Sequence, residues 1–120
     1  MTKIAGWVAQ EARALVMQAT AQVQAARAEA RIVVNEAQEA YKAEYDAGTA
    51  AMRAAKATRT ALAAHACTEE IERAEATQAR AENLLYAAFV ASNNAEKRLE
   101  KAEREAKKAD EELVRAKKEV

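Results

Sequence analysis

From Ala5 onward the small apolar residues recur at alternating steps of three and four: Ala5, Ala9, Ala12, Val16, Ala19, Val23, Ala26, Ala30, Val33, Ala37, Ala40. The same beat returns at Ala64, Cys67, Ile71, Ala74, Gln78 and Ala81. It then runs through Leu85, Ala88, Ser92, Ala95, Leu99, Ala102, Ala106 and Ala109 to Leu113, Ala116 and Val120. A step averaging 3.5 residues is the seam along which one long helix packs on another. The pattern predicts an all-α fold, a long antiparallel helical hairpin with alanine-rich seams, packed as a coiled coil or a three-helix bundle.

The clearest punctuation is Asp46-Ala47-Gly48-Thr49, where Gly48 suits a left-handed C-cap and Thr49 suits the cap of a following helix. A turn at Gly48 gives helix 1 over about 2–47 and helix 2 over about 49–92, within a single elongated helical domain spanning 1–120. Ser92-Asn93-Asn94-Ala95-Glu96 has capping-box spacing, so residues 94–120 are either a third helix or a continuation. The unbroken phase of the seam through Ser92 favours continuation. His65-Ala66-Cys67-Thr68, followed by Glu69 and Glu70, is a third, weaker point of punctuation that favours a kink over a full break. Folding at Gly48 would set Ile4, Trp7 and Val8 opposite Phe89 and Val90, Ala12 opposite Leu85, and Val34 near Leu62. It would also set Tyr45 opposite Met52, so that Tyr41, Tyr45 and Met52 form an apolar patch at the tip.

Composition reinforces the helical reading. Alanine fills 35 of 120 positions, proline is absent and glycine occurs only at Gly6 and Gly48, so almost every residue favours or tolerates a helix. With aromatics limited to Trp7, Tyr41, Tyr45, Tyr86 and Phe89, a wide globular core is not expected. Alanine seams let helix axes approach toward the short end of the ~8–10 Å packing range. Nineteen basic and nineteen acidic side chains cancel, which removes the net attraction to phosphate behind general nucleic-acid binding. No run of apolar residues is long enough to span a bilayer, and Glu11 and Arg13 break any signal-peptide pattern.

The run Leu84-Leu85-Tyr86-Ala87-Ala88-Phe89-Val90 is apolar all round, more than one neighbouring helix covers, and this implies a third helix or a second subunit. The last 27 residues carry 17 charged side chains, the mark of a solvated helix with a narrow seam. If that segment projects beyond the hairpin, Leu99, Ala106 and Leu113 form a seam row for a weak parallel dimer. Its flanks would be Arg98, Glu105 and Glu112 on one side and Glu103, Asp110 and Lys117 on the other, with Glu105 against Asp110 the one repulsive pair.

Candidate chemistry is sparse. His65 is the only histidine and Cys67 the only cysteine; two residues apart on a straight helix they point different ways and share neither a metal nor a proton. Cys67 alone makes no intrachain disulfide and fits a reducing compartment such as the cytoplasm, without fixing localisation. The glutamates sit among lysines and arginines as a solvated face, and no phosphate loop, catalytic triad or metal-binding cluster is present in the sequence. No catalytic, cofactor or metal residue is therefore assigned. Only in composition does the chain resemble other alanine-rich, long-helix proteins.

The expected function is that of a non-catalytic structural or protein-interaction coiled coil, a homo-oligomer that presents a helical surface to a protein partner. Trp7, Val8, Leu84, Leu85, Tyr86, Phe89, Val90, Leu99 and Leu113 are the expected interface residues. The alternative is reversible lipid or membrane-surface binding by an opening amphipathic hairpin, which the weak hydrophobicity of alanine and the sparse basic face of the first helix disfavour.

Overall fold

A computed structural model describes residues 2–119 of the chain, with side chains described from Gly6 to Glu119. Two helices make up the described secondary structure: α1, Thr2–Ala63, and α2, Thr68–Lys118. They pack as a helical hairpin. The chain divides into two compact units, one formed by Glu36–Glu96 and the other by Met1–Asn35 with Lys97–Val120.

The long hairpin of the sequence reading stands, but its turn lies at residues 64–67 and not at Gly48. Gly48 is an ordinary helical residue of α1, since no glycine has a positive φ. Thr49 does not cap a new helix. Its hydroxyl donates to the Tyr45 carbonyl at 3.1 Å, as a threonine inside a helix does. A lone glycine costs a helix about 1 kcal/mol, too little to end one flanked by alanine at 47, 50 and 51.

His65 is the one described non-glycine residue with a positive φ, 53°. Histidine is among the few side chains enriched in the left-handed region. Around it the amide of Ala66 donates to the Ala61 carbonyl at 3.0 Å and that of His65 to the Leu62 carbonyl at 3.2 Å. This pair of bonds is a Schellman closure, with histidine in glycine's usual place. The helix that follows opens with Glu69 and Glu70 in its first turn and closes with Arg115, Lys117 and Lys118 in its last, both favourable to the helix dipole.

The seam is observed directly in the burial pattern. On α1 the covered positions include 9, 12, 16, 19, 23, 26, 30, 33, 37, 40, 44, 47, 51, 54, 58 and 61, with 20, 34, 48, 49 and 55 partly covered beside them. Their three-and-four phase continues through Gly48 without a break. On α2 they include 71, 74, 78, 81, 85, 88, 92, 95, 99, 102, 106, 109, 113 and 116, with 110 and 112 partly covered beside them, and α2 passes uninterrupted through Asn93 and Asn94, which are exposed. Residues 94–120 therefore hold no third helix among those described. Ala64 and Cys67, expected in the second seam, belong to the turn. The side chains of Ile4 and Ala5, and Val120, lie outside the described residues.

On each helix one of the two seam rows is nearly pure alanine. On α1 it is Ala12, Ala19, Ala26, Ala40, Ala47, Ala54 and Ala61, with Val33 the exception; on α2 it is every residue from Ala74 to Ala116 in steps of seven. The most enclosed side chains are correspondingly small, Ala37 and Ala95 at 1% exposure, and no large side chain is fully buried. Thr58, buried in α1's other row, satisfies its hydroxyl by donating to the Ala54 carbonyl at 3.1 Å.

Within the unit that holds the chain's ends, Arg27 donates to Asp110 at 3.1 Å across the helix pair, both side chains more than a third exposed. Residues 97–118 thus pack back on α1, and Asp110 faces Arg27 of its own chain. The premise of a freely projecting parallel dimer is removed.

Candidate functional site

The expected interface residues separate into two groups. Leu85, Leu99 and Leu113 are half-buried at seam positions within the chain. Trp7, Val8, Leu84, Tyr86, Phe89 and Val90 are exposed. The expected pairing of Trp7 and Val8 with Phe89 and Val90 does not occur, because the turn at 64–67 puts the two pairs in different compact units. Likewise Ala12 does not face Leu85, which approaches Gly48: a Cβ built there would lie 3.8 Å from Leu85 Cδ1. Val34 and Leu62, and likewise Tyr45 and Met52, lie on the same helix, α1. Trp7 and Val8 sit beyond the level that α2 reaches, since Leu15 and Glu119 near α2's end line one groove.

The antiparallel pairing sorts the apolar residues of the unit Glu36–Glu96 onto faces. Residues that follow the alanine row flank one side of the seam on both helices, as the pairing of Arg27, after Ala26, with Asp110, after Ala109, illustrates in the other unit. In the unit Glu36–Glu96 these are Tyr41, Gly48, Ala55 and Leu62 on α1, and Glu75, Glu82, Phe89 and Glu96 on α2. One helical step further out on the same side stand Tyr45 and Met52 on α1 and Tyr86 on α2. Four of the chain's five aromatics therefore share one face: Tyr41, Tyr45, Tyr86 and Phe89.

Their exposures are 41% for Tyr41, 76% for Tyr45, 74% for Met52, 70% for Tyr86 and 48% for Phe89. With roughly 200 Å² per large side chain, the open part of these five amounts to about 600 Å², at the upper end of what a monomer's largest apolar patch shows. Tyr41, Tyr45, Gly48, Met52 and Leu85 line a groove of about 550 Å³ in which the missing side chain of Gly48 leaves a dip. The patch runs along α1 and is not at the hairpin tip, as the turn at Gly48 would have required. The run 84–90 is split by the pairing: Leu85 and Ala88 enter the seam, Tyr86 and Phe89 join this face, Leu84 flanks the opposite side, and Val90 points outward. On that opposite side α1 contributes Ala43, Ala50 and Ala57.

His65 and Cys67 lie in the turn, both exposed, so the straight-helix geometry expected of them does not apply. Among the described residues no group of three or more His, Cys, Asp or Glu could hold a metal ion, and no helix is long and apolar enough to cross a membrane. No protein-family model, curated protein or solved structure matches the chain.

Proposed function

We propose that this chain is a non-catalytic coiled-coil protein of structural or interaction type, which self-associates and presents a helical surface to a protein partner. The observation that carries the reading is the gathering of four aromatics and Met52 on one exposed face of the unit Glu36–Glu96. Aromatics and methionine are enriched at protein interfaces, and a two-helix pair with a seam of alanines has no core in which to hide them. The seam itself supports the coiled-coil description, because its three-and-four phase persists along both helices.

The margin of the face favours protein over lipid. Its border is of mixed charge, with Arg53, Lys56 and Arg59 beside Tyr45 and Met52 on α1 and Glu72, Glu75, Glu82 and Glu96 on α2, whereas helices that bind anionic bilayers carry lysine and arginine throughout the polar margin of their apolar stripe. Sedimentation equilibrium over micromolar to millimolar concentrations tests the reading, with reversible association as the expected result. A strictly monomeric chain that floats with anionic liposomes would instead establish the membrane-surface alternative.

A further inference from the structure

We infer that the aromatic face of the unit Glu36–Glu96 is covered by a second copy of the same chain, with α1 of each protomer lying antiparallel on α2 of the other in a four-helix arrangement. This rests on the self-association proposed above and specifies which face, which partner and which geometry.

The area fits. About 600 Å² of exposed apolar side chain, together with the flanking polar residues, approaches the roughly 800 Å² per partner of a standard interface. The chemistry of the two halves is complementary. The α1 half carries Tyr41, Tyr45 and Met52 around the dip at Gly48, and toward the turn ends in Arg59, which lines a continuous groove with Tyr45 and Met52. The α2 half carries Tyr86 and Phe89 between Glu82 and Glu96, with Glu75 and Glu72 toward the turn.

Two-fold symmetry allows two ways to stack such a face on itself with the helices aligned. With the axis across the helices, α2 lies on the partner's α2, and the acids at 72, 75, 82 and 96 confront one another. With the axis along the helices, α1 lies on the partner's α2 at the same level. Tyr86, next to Leu85, then lies level with the partner's dip at Gly48, Phe89 with the partner's Tyr45, and Arg59 with the partner's Glu75. The second arrangement replaces repulsion by attraction twice over, because a two-fold interface repeats each contact. Both arrangements leave every neighbouring helix pair antiparallel, as in up-and-down bundles, so the charges are what choose between them.

Charge exchange between protomers supplies the test. Arg59→Glu alone places acid on the partner's Glu75, and Glu75→Arg alone places base on the partner's Arg59, so each variant homodimer is weakened at both contacts. An equimolar mixture of the two variants forms a heterodimer in which both contacts attract. Sedimentation equilibrium should show the mixture associating at least about five-fold more tightly than either variant alone, since each of two exposed pairs changes sign. A mixture no tighter than its components overturns the geometry, because a purely intrachain effect survives mixing.

Tyr45→Glu should weaken the wild-type dimer about ten-fold or more with unchanged helicity. Leu84→Glu, on the opposite flank, should leave it within about two-fold. The reverse ranking would overturn this face while keeping self-association, whereas a wild-type chain that stays monomeric to millimolar concentration would sink both.

Discussion

Replacing Gly48 by alanine discriminates between the observed fold and the hairpin its sequence first suggests, because the two require opposite signs. In α1 the residue has ordinary helical φ, and the alanine scale puts Gly→Ala in a helix interior at about 0.8–1.0 kcal/mol stabilising. The new methyl would rest at ordinary van der Waals distance, 3.8 Å, from Leu85 Cδ1, so nothing must move to admit it. The site is half-buried, and covering half a methyl group adds about 0.4 kcal/mol. A gain of about 1.2–1.4 kcal/mol, over an unfolding entropy of roughly 0.25 kcal/mol/K for a chain this long, raises Tm by about 5 °C. In a left-handed cap the same methyl would cost about 1–2 kcal/mol and lower Tm by a similar amount. Thermal and urea unfolding followed by circular dichroism, in dilute solution where association does not contribute, measures the difference. A Tm lowered by several degrees would refute a helix running through residue 48.

Other substitutions probe the turn, the seam and the ion pair between Arg27 and Asp110. His65→Gly should stabilise by about 0.5–1 kcal/mol by relieving a left-handed side chain, and His65→Val should destabilise by at least about 1 kcal/mol; chemical denaturation that ranks them otherwise would contradict the Schellman closure. Ala95→Leu or Ala37→Leu should cost about 1–3 kcal/mol through overpacking, seen as a lower denaturation midpoint, whereas Ala43→Leu on the exposed flank should change stability by less than about 0.5 kcal/mol. A double-mutant cycle on Arg27 and Asp110 should give a coupling below about 1 kcal/mol that fades in high salt; Asp110→Lys should destabilise the chain slightly and not tighten a dimer.

The period of the hairpin was legible in the residues; the place of its turn was not, and particular positions show why. The seam that ends on paper at Ala40 continues through Glu44, Ala47, Ala51, Ala54, Thr58 and Ala61, all in phase. The continuity that kept α2 whole through Asn93 and Asn94 would have kept α1 whole through Gly48. Glutamate and threonine at two seam positions masked it, since neither reads as apolar. At the true turn no glycine or proline marks the chain, because a histidine takes the left-handed position, and only Thr68-Glu69-Glu70 signalled a helix start. The excess of apolar surface at 84–90 was readable from composition alone. That Tyr86 and Phe89 join Tyr41 and Tyr45 on one face was not, since this depends on the register that the turn sets.

A row of identical alanines seven residues apart is almost the same structure after a shift of one heptad. The alanine rows therefore carry little information about where along α1 the second helix should sit, and the connection at residues 64–67 supplies what they lack. Cutting the backbone there would convert a helix pair of fixed alignment into two peptides able to slide. The other rows would remain to choose among neighbouring alignments, through Leu85, Leu99 and Leu113 alternating with Gln78, Ser92 and Ala106 on α2 and through Glu44 and Thr58 on α1. A short, hydrogen-bonded linker in this protein does the work that varied side chains perform in other helix pairs, and a longer or looser one would turn a single fold into a family of offset ones.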